Sequence, residues 1–146
     1  MKKVLLGLML TFAVLTANAQ SQSGTTIMKR TSSQRMVWSD VDDKWLFFPL
    51  RERHYEASVW ETLLNDNGTG SIRITNVDSE ITYGINIYKW EMRTNDDGQQ
   101  YIWIEGIQIS DSQRLQVIMN SYSNGKMYTV FMPDSQLAIF FDNLTE

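Results

Sequence analysis

Residues 81–110 read ITYGINIYKWEMRTNDDGQQYIWIEGIQIS, and the fold follows from how that stretch alternates. Ile81, Tyr83, Ile85 and Ile87 alternate with Thr82, Gly84 and Asn86, the period-two pattern of a strand with one buried face. The run reaches Asn95-Asp96-Asp97-Gly98, residue types that favour tight turns, and returns as Gln100 to Ser110. The stretch therefore predicts one long antiparallel hairpin. Its parity breaks twice. Ile102 and Ile104 share a face while Ile107 and Ile109 fall on the other, so one extra residue at Glu105-Gly106 is expected to restore a common inward face. A second bulge is expected to pass the inward face of Ile85 and Ile87 to Tyr88 and Trp90.

The same grammar repeats on both sides. Val59 to Leu64 runs into Asn65-Asp66-Asn67-Gly68-Thr69-Gly70, and Ser71 to Thr75 returns with Ile72 and Ile74 alternating. Leu115 to Tyr122 meets Asn124-Gly125, a two-residue hairpin signal. Met127 to Met132 comes back, Pro133-Asp134-Ser135 turns, and Leu137 to Phe141 closes the pattern. No window carries a 3.6-residue apolar period. The fold class is all-β: an antiparallel meander of about seven to nine strands, with bulges that curve it into an up-and-down barrel or strongly curled sheet. A β-sandwich is the alternative.

The N-terminus has the three parts of a secretory signal. Lys2 and Lys3 supply positive charge, Val4 to Leu15 is almost wholly apolar, and Ala17-Asn18-Ala19 has the small-x-small form of a cleavage site. The apolar run is about twelve residues, short of the roughly twenty that span a bilayer. Residues 1–19 are expected to be a cleavable signal peptide, 20–26 a flexible leader without periodicity, and 27–146 a single β domain. The protein is expected to be exported, to the periplasm or beyond, and not to be an integral membrane protein.

Removing residues 1–19 leaves eleven basic and seventeen acidic residues, a net charge of −6. Nucleic acid calls for a basic face, so that partner is not expected. The absence of cysteine excludes thiol nucleophiles, cysteine–zinc sites and disulfides. His54 is the only histidine, and no serine sits in a nucleophile elbow. The acidic turns fail the calcium-loop spacing: aligning Gly68 or Gly98 as the loop glycine puts Leu63 or Arg93 first and Ile74 or Ile104 last. Carboxylates are scattered without a readable pair. The chain is expected to be no enzyme and to hold neither metal nor cofactor.

The run Trp60-Glu61-Thr62-Leu63-Leu64-Asn65-Asp66-Asn67-Gly68-Thr69-Gly70-Ser71-Ile72, followed by the long strand with Tyr83 and Trp90 and another hairpin, resembles small secreted bacterial lipocalin-like (calycin-type) domains. The likeness covers roughly Lys44 to Phe141. It departs from the lipocalin signature at Asp43, which stands two residues before Trp45 where a glycine is usual. The resemblance implies a barrel interior that holds a small apolar or amphipathic ligand.

Aromatics are the main functional lead. Tyr101 and Trp103 share a face opposite to Ile102 and Ile104. One parity turns them outward as a contact strip, and the other lines a pocket with them. Tyr83, Tyr88, Trp90, Tyr101 and Trp103 are the candidate ligand-binding residues. The alternative function is a periplasmic or secreted interaction module docking on a protein partner through exposed aromatics.

Overall fold

A computed structural model describes residues 21–54 and 56–145, the side chains of 49–54 excepted. The expected signal peptide and the side chain of His54 lie outside the described residues. Ten strands form: β1 (Gln22–Met28), β2 (Arg30–Ser39), β3 (Lys44–His54), β4 (Ser58–Leu64), β5 (Gly70–Asn76), β6 (Thr82–Thr94), β7 (Gln100–Gln108), β8 (Arg114–Tyr122), β9 (Gly125–Met132) and β10 (Leu137–Asp142). They make one sheet in the order β1-β4-β5-β6-β7-β8-β9-β10-β2-β3. Neighbours pair antiparallel throughout. The fold is all-β, one strongly curled antiparallel sheet that is not closed into a barrel.

β4 to β10 are the meander that the turns predicted. Asn65–Thr69 and Asn95–Gln99 are near copies of one turn. In each, the asparagine N–H donates to the fifth residue's carbonyl, at 2.8 Å and 2.9 Å, and the glycine N–H returns to the asparagine carbonyl at 3.0 Å. Gly68 and Gly98 adopt φ of 83° and 79°, which side chains disfavour. The β8–β9 turn differs by one place from expectation. Tyr122 pairs with Gly125, so Ser123-Asn124 form the loop and Gly125 stands on β9. A Cβ there would lie 2.8 Å from the Asn143 carbonyl, so the glycine makes room for the C-terminal segment.

The N-terminal strands hold the two ends of the meander together. Only Lys29 separates β1 from β2, yet β1 pairs with β4 and β2 with β10. Lys29 donates its N–H to the Asp142 carbonyl at 2.9 Å. Gln22 to Thr26, expected within a flexible leader, thus lie in register with Leu64 to Trp60. Their pattern is mute because Gln22 to Thr25 are exposed; the backbone ladder, not apolar burial, places them.

The sheet's inner face is the core. Trp60 on β4 packs edge-on against Tyr128 of β9 and Phe141 of β10, with ring centroids 5.0 Å and 4.9 Å away. Ile72, Ile104 and Val117 join it, each almost fully buried. A register shift between Ile87 and Lys89 confirms the bulge expected in β6. Trp90 takes the inward place and packs on the core, but Tyr88 is the extra residue and is exposed. The bulge expected at Glu105-Gly106 does not form: β7 stays regular through it, and Ile107 and Ile109 are exposed. A Cβ on Gly106 would meet Ile85 Cγ2 at 2.8 Å and Asn86 O at 2.9 Å. The glycine therefore serves the close approach of β6 to β7, opposite the strand that carries the extra residue.

Candidate functional site

A pocket of about 240 Å³ lies at one end of the curled sheet. Asn76 ends β5, Tyr83 and Leu115 stand near the starts of β6 and β8, and Met132 and Leu137 flank the β9–β10 turn. Behind this rim, Ile74, Ile85, Val130, Ile139 and Phe141 form an apolar wall. The volume compares with the roughly 150 Å³ that holds benzene in an apolar cavity. A second pocket of about 240 Å³ is lined by Met92, Tyr101, Met119, Lys126 and Tyr128 toward the opposite ends of these strands. Between the two, Trp60, Ile72, Ile104 and Val117 fill the interior. The sheet thus has a packed waist and an apolar recess at one end.

Two buried polar atoms stand near that recess without a hydrogen-bond partner among the described residues: Ser58 Oγ and Trp60 Nε1. Both residues are buried in β4, where Ser58 faces Asn76 and Trp60 faces Ile74 across the ladder. Asn76 and Ile74 both line the pocket. An unmet buried polar group costs about 1–3 kcal/mol.

The sequence-derived candidates are not brought together. Tyr83 lines the apolar pocket and Tyr101 the second one. Trp90 leans on the core and donates Nε1–H to the Asn65 carbonyl at 2.8 Å, tying β6 to the turn after β4. Tyr88 is on the outside beside Glu105 and Arg114. Trp103 pairs with Glu91 on the outer side of β7, yet only 8% of it is exposed. Its ring lies under the Arg93 guanidinium, 3.6 Å from the centroid, and near Lys89 Nζ at 5.1 Å. Glu91 accepts from Arg93 Nε at 2.6 Å and holds that cover in place. So the expected outward pair exists in direction, but long side chains of β6 cap its tryptophan.

The pocket's main wall was legible only as core. Alternation marks Ile74, Ile85, Val130 and Ile139 as inward, and nothing in that pattern separates a residue in a filled waist from one beside a recess. Among the described residues, no three histidine, aspartate or glutamate side chains gather to hold a metal. No helix among them is long and apolar enough to cross a membrane. No family model, curated protein or solved structure matches the chain.

Proposed function

We propose that the protein is an exported, non-catalytic binder of one small apolar or amphipathic molecule, as the lipocalin-like resemblance implies, and that the recess walled by Ile74, Ile85, Val130, Ile139 and Phe141 is its site. The observation that carries this reading is the recess itself, an apolar cavity left at one end of an interior packed solid at its waist. Sites for small molecules are mostly apolar with a few polar groups that orient the ligand. Here the orienting groups are Thr31, Asn76, Tyr83 and Gln108. The volume favours a compact molecule over a long acyl chain.

Native mass spectrometry of the protein exported and gently purified from its host tests this. A reproducible excess mass that vanishes on denaturation supports the reading and gives the ligand's size. An excess mass retained after Ile139→Trp, which fills the recess, would place the ligand elsewhere and refute the assignment.

A further inference from the structure

The second recess, at the opposite end of the interior from the apolar one, differs from it in carrying a charge. Its floor belongs to the inner face of the sheet. Met92, Ile102 and Met119 line it, each two places along its strand from a residue packed in the interior: Trp90, Ile104 and Val117. Lys126 lines it too, two places from buried Tyr128 on β9 and opposite Ser121 across the β8–β9 ladder. The lysine turns inward: Nζ reaches Thr26 Oγ1, and Thr26 is the ladder partner of buried Trp60.

This ammonium is half-buried and poorly matched. Its bond to Thr26 Oγ1 is long, at 3.4 Å, and that hydroxyl already shares a hydrogen bond with Tyr128 Oη at 3.3 Å. The other half-buried cations among the described residues, Arg30 and Arg93, are each paired with a carboxylate. No described carboxylate lies within ion-pair distance of Lys126, and none lines the recess. A partly desolvated charge gains most from an opposite charge that also accepts its hydrogen bonds. The floor beside it asks for hydrocarbon. A molecule that meets both demands has a carboxylate at one end and a compact apolar body.

We propose that this recess is a second ligand site, for a small monocarboxylate. The carboxylate accepts from Lys126 Nζ and the Ser121 hydroxyl, and the body lies on Met92, Ile102 and Met119. The volume, about 240 Å³, suits one ring or two. The chain is acidic overall, at −4, so its general field does not gather anions and affinity for one must arise at this lysine. The packed waist separates the two recesses, so this site does not rest on the reading of the first.

Titration calorimetry of benzoate, cyclohexanecarboxylate and 2-naphthoate, each beside its uncharged primary amide, tests this on the exported protein. Far-UV circular dichroism confirms that each variant folds. At least one acid should bind the wild type one-to-one and about tenfold tighter than its amide, with the gap narrowing as salt is added. Lys126→Met should erase the gap, Lys126→Arg should keep it, and Ile139→Trp at the other recess should leave it unchanged. In nuclear magnetic resonance spectra of the wild type, which need no substitution, the acid should shift the backbone amide signals of Ser121 and Lys126. Acids that do not saturate the wild type, or bind it no tighter than their amides, would overturn the proposal. So would a gap that survives Lys126→Met, or amide signals of Ser121 and Lys126 that stay in place. Acid binding lost in Ile139→Trp but kept in Lys126→Met would overturn it while leaving the first recess as a site.

Discussion

The rings of Trp60 and Phe141 meet at 4.9 Å and 75°, although β4 and β10 stand six places apart in the sheet. Across a flat sheet that separation is about 28 Å. The contact is therefore possible only because the sheet curls until its inner face meets itself. Trp60 touches Tyr128 of β9 as well, so one side chain joins the early and late strands of the meander. Curl, waist and recess all depend on it: the side chain large enough to fill the middle leaves the end open.

Replacing Trp60 by alanine should lower stability by about 3–5 kcal/mol in urea denaturation, the usual cost of deleting a large buried aromatic. Trp60→Phe should cost markedly less, because it keeps ring contacts and removes the unpartnered N–H. Equal losses for both would mean that the waist is held elsewhere.

The junction of β1 and β2 is clasped by Arg30 and Asp142. Arg30 Nη2 lies 2.7 Å from Asp142 Oδ1 and also donates to the Leu144 carbonyl at 2.9 Å, while Nε donates to the same Asp142 oxygen at 2.8 Å. Both side chains are partly exposed, so a double-mutant cycle of Arg30→Ala and Asp142→Ala should give a modest coupling of about 0.5–1 kcal/mol. A coupling near zero would leave the Lys29 N–H bond to Asp142 O and the ladders to hold the junction alone.

Gly106→Ala should destabilise by about 1–3 kcal/mol, since its methyl group would press into Ile85 and the Asn86 carbonyl. Gly24→Ala on β1 has nothing within 4 Å and should be near neutral or slightly stabilising through the unfolded chain. Chemical denaturation of the pair separates close approach of strands from a general effect of losing glycine.

Arg93→Ala should uncover Trp103. Its fluorescence should shift to the red and become accessible to acrylamide, with a stability loss of about 1 kcal/mol from the lost stacking. Unchanged quenching would mean that Lys89 alone shields the ring.

Much of the fold was legible because its turns are written in residues with one use. Asn65 to Gly70 and Asn95 to Gly98 specify their hairpins by side-chain capping and positive φ, both local properties. The β6 bulge was legible because parity changes between Ile87 and Trp90, and a parity change admits few explanations. The bulge expected at Glu105-Gly106 was not there because Gly106 is needed for close packing, which the sequence of β7 alone does not record. The role of β1 was hidden because an exposed strand of Gln, Ser, Gly and Thr looks like a leader. Trp103's cover and the recess were illegible for a shared reason: each depends on residues that meet only once the sheet has its register and curl.

Titration of a neutral apolar fluorescent probe into the wild type and Ile139→Trp, both verified as folded, tests the central claim most directly. The account predicts saturable one-to-one binding to the wild type, weakened at least about tenfold by the recess-filling variant, as a displaced apolar ligand requires. Equal binding to both proteins, or no saturable binding to the wild type by any compact apolar probe, would contradict it.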